Sequence, residues 1–302
     1  MFVHWGLYAI PAGEWNGRRM TKRNAEQINL SERIPNEEYE KLAESFTARD
    51  FDADRWVAIA KEAGARYLVV TAKHQDGFAM FRSRVNGYNV VDATPFARDP
   101  IEELAGACAR AGLRLGLYYS HARDYHHPGA NWNDHGNTWD FPPQTLDDFR
   151  RYFAERVIPH VTELLTSYGE ICLMWFDVPY RIPRDLSTAL RSHVLSLQPG
   201  CLVNSRIGNG QGDYLNPGDN ELPGTPPDGP WETCMTMNDS WGYSRFDENW
   251  KSVDELVRIL NRVVAMRGNL LLNVGPDAAG RIPPASVERL RALGLASRAD
   301  HG

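Results

Sequence analysis

Strand and helix signals alternate along the 302 residues. That alternation predicts an α/β fold on a parallel sheet, and about seven or eight strand segments favour a (β/α)8-like TIM barrel in one domain spanning 1–302. Two further observations support the barrel. Ile171-Cys-Leu-Met-Trp-Phe176 is an unbroken apolar run, as expected for a strand buried on both faces. Polar residues then recur where such runs end, which in a parallel barrel is the face that carries active sites. Asp177, followed by Val-Pro-Tyr that cannot continue a regular element, is the clearest case. A lone aspartate there could equally cap a helix or serve a turn; the recurrence at other strand ends is what favours a site.

The elements follow in order. Phe2–Tyr8 reads as the first strand and Ile10–Gly13 as a turn, with Glu14-Trp15 opening a polar loop to about Glu37. Helical signal covers Glu38 to Ser45 and Asp52 to Gly64, where Trp56, Ile59, Ala60 and Ala63 form one stripe and Gly64 suits the C-cap. Arg66–Thr71 is a strand running into Ala72-Lys-His-Gln-Asp-Gly77. Pro100–Gly112 has proline near its start and glycine after its end, the helical asymmetry. Leu113–Ser120 is a strand, and the long connection from Ala122 to Pro143 suggests a functional loop. Thr145–Gly169 is the longest predicted helix, with a kink expected at Pro159. After the Asp177 strand come a helix near Leu186–Leu197, a strand at Leu202–Arg206, and a Gly/Asn/Pro/Asp-rich loop from Gly208 to Pro230. A strand from Trp231 through Met237, a helix over Val253–Arg267, a strand over Asn269–Val274 and a helix over Pro284–Leu293 complete the pattern.

Composition excludes several classes. With 42% hydrophobic residues the chain can bury a sizeable core. A net charge of -6 gives no basic footprint for nucleic acid or an anionic membrane, and no apolar run reaches the roughly 18 residues of a membrane span. Cys108, Cys172, Cys201 and Cys234 show no CxxC spacing, so buried free thiols in a reducing, cytoplasmic setting are expected. The chain enters its first strand one residue after the initiator, which suggests a shortened N-terminus or a lost leader. Gly208-Asn-Gly-Gln-Gly212 lacks both the spacing and the strand-to-helix context of a nucleotide loop.

The strand-end residues His4, His74, Tyr118, Tyr119 and Asp177, with Arg206 after the next strand, fit one polar mouth. Trp5, Trp15, Trp175 and Trp231 are the candidate walls, since indole stacks on the apolar faces of sugar rings. Each residue also has a plain structural use, a hydrogen-bonded histidine or a surface ion pair. A metal site is disfavoured: His126 and His127 are adjacent, and neither H-x-H nor H-E-x-x-H occurs. No G-x-S-x-G elbow supports a serine hydrolase.

Seven co-linear motifs carry a resemblance over nearly the whole chain. They are Phe-Val-His-Trp-Gly-Leu-Tyr (2–8), Glu14-Trp15, Thr-Ala-Lys-His-Gln-Asp-Gly-Phe (71–78), Gly-Leu-Tyr-Tyr-Ser (116–120), Trp-Phe-Asp (175–177), Asn-Ser-Arg (204–206) and Gly-Asn-Leu-Leu-Leu-Asn-Val-Gly-Pro (268–276). Together they resemble family 29 α-L-fucosidases. The resemblance implies a (β/α)8-like catalytic domain that hydrolyses terminal α-L-fucosides with retention, so a fucosylated oligosaccharide or glycoconjugate is the expected partner; from the residue patterns above, no cofactor or metal is expected. It implies Asp177 as nucleophile and His4, Glu14, Trp15, His74, Tyr118, Trp175 and Arg206 around the fucose. The chain departs from the family pattern in three ways. Gln75 replaces the second of two adjacent histidines, residues before the first strand are absent, and no C-terminal β-sandwich follows.

Retention needs a second carboxyl as acid/base. The family's Asp-Tyr-x-Thr-Pro-Glu stretch corresponds here to Asp213-Tyr-Leu-Asn-Pro-Gly-Asp219-Asn-Glu-Leu-Pro223. Aligned on Leu-Pro, Asp219 takes the acid/base position; aligned on Asp-Tyr, Gly218 falls there. Asp219 is preferred, with Glu232, Glu221 and Glu14 as alternatives and Glu232 also expected at the substrate. A sugar-binding barrel without activity, or a barrel glycosidase of another specificity, are the rival readings.

Overall fold

The computed structural model describes residues 1–21, 24–132 and 136–299. Seven parallel strands form one curled sheet, with helices packed outside it. In chain order the strands of that sheet are β1 (Phe2–Val3), β4 (Tyr67–Lys73), β5 (Arg114–Ser120), β6 (Leu173–Asp177), β7 (Leu202–Val203), β8 (Glu232–Thr236) and β9 (Asn269–Val274). Their spatial order is β7-β6-β5-β4-β1-β9-β8. A separate antiparallel hairpin pairs β2 (Glu14–Trp15) with β3 (Arg18–Arg19). The main helices are α3 (Ala53–Glu62), α4 (Pro100–Ala111), α5 (Leu146–Tyr152), α6 (Ile158–Ser167), α7 (Arg184–Leu197), α8 (Val253–Ala265) and α9 (Pro284–Ala299), preceded by short turns of helix α1 (Ile28–Glu32) and α2 (Asn36–Tyr39).

Local chemistry explains the boundaries. Asp52 caps α3 through Arg55 N, and Asp99 caps α4 through Ile101 N and Glu102 N. Gly112 ends α4 at φ 63°, the left-handed conformation that glycine adopts freely. Thr145 and Asp148 form a capping box on α5. The long predicted helix is divided: a π-helical turn at Phe153–Val157 separates α5 from α6. Pro159 lacks an N–H and its ring crowds the carbonyl four residues back, so a widened turn takes up the mismatch.

Two predicted strands are cut to two residues each. The first ends at Val3 because Trp5 leaves the sheet: its N–H bonds Thr71 Oγ1 and its indole bonds Asp277 O. The strand predicted over Leu202–Arg206 ends at Val203. Beyond it the Asn204 side chain continues the pairing, accepting from Phe176 N (2.8 Å) and donating to Phe176 O (2.9 Å). This amide clamps the backbone immediately before Asp177.

Between β7 and β8 the loop is not featureless. Asn204 bridges Tyr214, and Leu215 bridges Trp231, both in parallel sense. Asp213 anchors this stretch, accepting from Arg191 of α7 (2.5 Å) and from Val203 N (2.8 Å). The loop from Ala122 to Pro143 contains a helical turn at Pro128–Ala130; its residues 133–135 lie outside the described residues. All four cysteines are free, three buried and Cys172 half-buried. No described helix is long and apolar enough to cross a membrane.

Candidate active site

At the C-terminal ends of the strands lies a small, partly open cavity. Its lining includes His4, His74, Gln75, Tyr118, Trp175, Asp177, Arg206 and Asp219. These positions, scattered over more than 200 residues, meet because the strands are parallel and in register: Tyr118 pairs with Trp175, and Ser120 with Asp177. Successive side chains on a strand point to opposite faces, so Tyr118 enters the cavity while Tyr119 turns outward and bonds His160 Nδ1 (2.9 Å). Tyr119, expected at the mouth, is therefore a packing residue.

The floor is a row of stacked planes. His74 stacks on Tyr118 (5.3 Å, 14°), Tyr118 on Trp175 (5.6 Å, 19°), and the Arg206 guanidinium lies 4.8 Å over Trp175. Above it, Asp177 is held at both oxygens: Arg206 Nη1 donates to Oδ1 (3.1 Å) and Tyr118 OH to Oδ2 (2.8 Å). The other guanidinium nitrogen, Nη2, donates to Asp219 Oδ1 (2.6 Å). One arginine thus grips both carboxylates.

Val178, directly after Asp177, sits at φ 55°, a rare conformation for a β-branched residue and a point of strain beside the site.

Both histidines are neutral. Burial lowers His4 to about 4 and His74 well below its usual range. Asn273 donates its amide to Trp241 O (2.7 Å), so its Oδ1 accepts from His4 Nδ1 (2.7 Å) and leaves His4 Nε2 as an acceptor. Gln75 is locked by Tyr125 OH (2.8 Å) and Arg123 Nη1 (3.2 Å), both donating to Oε1, so its amide nitrogen remains available as a donor. Behind this wall Lys73 Nζ donates to Asp124 Oδ2 (3.0 Å) with both side chains fully buried. Burial alone would raise Asp124; Lys73 and Arg156 overcome it and hold the carboxyl well below its usual range. Asp124 also crowds the tight turn at Gly77 (φ 80°), where a Cβ would come within 2.2 Å of its Oδ1.

Six residues are placed otherwise than expected. Glu14 and Trp15 do not line the cavity; they form β2, turned aside after Ala12 and Gly13, which both have positive φ. Trp5 packs among Phe46, Phe51 and Trp56 under the helices, and Trp231 is buried with its indole on Met266 O. Glu232 begins β8, at the opposite end of the sheet from the cavity, and is buried. It bonds Tyr67 OH, Trp175 Nε1 (2.8 Å) and Asn216 Nδ2 (3.2 Å), holding Trp175 from below. Burial raises its pKa against those bonds. Glu221, an alternative acid/base, turns back on its own loop and accepts from Gly218 N (2.9 Å).

Sequence reasoning missed Phe2, Glu26, Gln27, Cys234 and Trp241, which also line the cavity. Glu26 lies in a short helical turn of the polar loop, and its Oε2 accepts from Gly242 N (2.9 Å). Gly242 permits this approach, since a Cβ there would lie 2.9 Å from the Tyr8 ring and 3.1 Å from Glu26 Cβ. Burial pushes the Glu26 carboxyl up to about 7. Nothing periodic marks Glu26 in the sequence; only its place near Gly242, 216 residues away, reveals it. Among the described residues, no group of three or more His, Cys, Asp or Glu side chains is arranged to hold a metal.

A small cavity floored by aromatic planes, with neutral histidines and two carboxylates on one guanidinium at parallel strand ends, is that of a carbohydrate-active α/β protein. Residues 1–296 match the family model for α-L-fucosidases, and the chain belongs to that family. It is 32% identical over 321 residues to tissue α-L-fucosidase of Mus musculus, covering 97% of this chain and 66% of that protein. A putative α-L-fucosidase of Caenorhabditis elegans is 31% identical, with 97% and 62% covered. The chain thus spans just under two thirds of these curated relatives. Among solved structures, α-L-fucosidase AlfC from Lactobacillus casei in complex with α-L-fucose product superposes with a TM-score of 0.93 at 44% identity, covering 100% of this chain and 96% of that one. The α-L-fucosidase from Vibrio sp. strain EJY3 superposes with a TM-score of 0.94 at 38% identity, covering 100% and 53%.

Proposed function

We propose that this chain is a retaining α-L-fucosidase in which Asp177 is the nucleophile and Asp219 the acid/base. The observation that carries the reading is Arg206 gripping Asp177 and Asp219 with its two terminal nitrogens. That arrangement keeps both carboxyls on one small pocket, in keeping with the roughly 5–5.5 Å separation of a retaining site. Asp177 attacks the anomeric carbon while Asp219 protonates the glycosidic oxygen, and the aglycone departs. Asp219 then takes a proton from water, whose oxygen attacks the same carbon and displaces Asp177. Fucose leaves with its original configuration.

The remaining lining suits a 6-deoxy sugar. Neutral His4 accepts a ring hydroxyl, Glu26 accepts another, and Gln75 donates one. Phe2, Trp175 and Trp241 offer the apolar surface that a C6 methyl requires. An apolar pocket rejects an added hydroxyl only about a hundredfold, so weak activity on α-L-galactosides is expected. The stretch at Tyr214–Leu215, bridged on both sides, acts in this reading as the eighth strand that closes a (β/α)8 barrel. AlfC structures hold 4-nitrophenyl-α-L-fucopyranoside and Fucα(1,6)GlcNAc, which makes these the first substrates to assay.

The test is Asp177→Ala with a panel of nitrophenyl glycosides. Wild type should hydrolyse the α-L-fucoside alone at a substantial rate, and the variant should lose several orders of magnitude. Azide should partly rescue the variant and give a glycosyl azide of inverted configuration. Retention of more than about a tenth of the activity, under about 1.4 kcal/mol of barrier, refutes the assignment. A wild type that binds fucose without turnover would instead favour a sugar-binding barrel.

A further inference from the structure

Asp219 sits in a loop of Pro217, Gly218 and Asn220 with its side chain 51% exposed, yet Arg206 holds Pro217 O (3.2 Å) and β8 ties the loop at several points. Asn220 N donates to Cys234 O (3.1 Å), and Asn220 Oδ1 accepts from Thr236 N (2.9 Å) and Oγ1 (3.1 Å). Thr233 Oγ1 donates to Glu221 O (2.7 Å). Asn220 takes φ 58°, the left-handed conformation that asparagine tolerates. Between these anchors the Cys234 thiol points into the cavity, 3.7 Å from Asp219 Oδ1 and 3.5 Å from Arg206 Nη2. Asp219 Oδ1 therefore receives both Arg206 and the thiol, while no described residue bonds Oδ2.

We propose that Cys234 is a positioning residue for the acid/base: its thiol donates to Asp219 Oδ1 and leaves Oδ2 as the oxygen that carries the proton to the leaving group. The inference rests on Asp219 being the acid/base. Burial raises the thiol well above its ordinary value, and Arg206 does not offset this, so the sulfur keeps its proton and remains a donor. The ionisable groups whose fields reach the thiol or Asp219 are Arg206 and Asp177, then His4 and Glu26 from the N-terminal segment, and Glu232 from the thiol's own strand. A plain packing role is the competing account, because Cys234 also lies among Phe2, Tyr118, Trp175 and Trp241.

The experiment compares wild type, Cys234→Ala and Cys234→Ser on 4-nitrophenyl-α-L-fucopyranoside and on Fucα(1,6)GlcNAc, whose leaving group needs protonation. Cys234→Ala should slow the disaccharide about fivefold, the loss of one weak hydrogen bond, and leave the nitrophenyl substrate within about twofold. Its alkaline limb in kcat/KM should move to higher pH by about half a unit, because the ionised Asp219 has lost a donor. Cys234→Ser keeps a donor and nearly the same volume, and should restore both toward wild type. Equal slowing of both substrates with an unmoved limb, or a serine variant that behaves as alanine, overturns the role. Asp219→Ala run alongside separates the two assignments. If it shows the leaving-group signature and Cys234→Ala does not, only this inference falls; if it does not, both fall. Should the alanine variant fail to fold, the serine variant alone decides, since loss of its limb position with an intact melting curve contradicts a hydroxyl donor replacing the thiol.

Discussion

Glu26→Gln should stabilise the protein at alkaline pH and leave it unchanged in acid. Glu26 is buried in the cavity wall, where its Oε2 accepts from Gly242 N and no cation among the described residues is a hydrogen-bond partner. Burial lifts its carboxyl to about 7 from 4.5. Between those values the native state holds a proton that the unfolded chain has released, so stability falls as pH rises through the interval and is level above it. A shift of about 2.5 units corresponds to a loss of about 3 kcal/mol. Glutamine has nearly the same shape and can accept from Gly242 N, but it does not ionise. Urea unfolding of both proteins at pH 4.5 and pH 8 reads the difference directly. The variant should match wild type at the lower pH, gain about 3 kcal/mol at the higher, and lose fucoside turnover at both. Parallel stability curves would show that the buried carboxyl is solvated or paired, and the reasoning would fail. The carboxylate is then a group whose burial lowers stability in return for a sugar contact.

Asp219→Ala should slow the disaccharide far more than the nitrophenyl fucoside and, with azide, yield a product of retained configuration; Glu221→Ala should do neither, and the reverse pattern would move the acid/base to Glu221. Lys73→Met should cost about 3–5 kcal/mol by leaving Asp124 buried with Arg156, 4.0 Å away, as its remaining Lys or Arg partner among the described residues. Because Asp124 is held below its unfolded pKa, its ion-pair stability is present above about pH 4 and is lost toward stronger acid. The Lys73→Met deficit should shrink there, and a loss under about 1 kcal/mol at neutral pH would mean the pair is not ionised.

The order of strands and helices was legible in the chain because parallel strands buried on both faces must be continuous apolar runs, and helices must show a stripe. Ile171–Phe176 and α4, with its Pro100 and Gly112, are of this kind. So were the residues at strand ends: His4, His74, Tyr118 and Asp177 each follow or end an apolar run, and register brings strand ends to one rim whatever lies between them. Asp219 stood out as a candidate through the Leu222-Pro223 pair after it, but that it shares Arg206 with Asp177 was not legible. Such pairings belong to contacts between distant segments. Glu232 carries the same chemistry as Glu26, yet it begins its strand and so lies at the base under Trp175, while Glu26 reaches the rim because Gly242 admits it. Trp5 and Trp175 both stand within two residues of a strand end; Trp5 leaves the sheet for Thr71 and Asp277, and of the two Trp175 lines the cavity. A local pattern sets which face of an element a residue occupies. Which loop residues meet depends on close approaches such as Gly242 against Glu26 and Asn220 against Thr236, whose partners lie far off in the sequence or across a loop without periodicity, and only the folded chain brings them together.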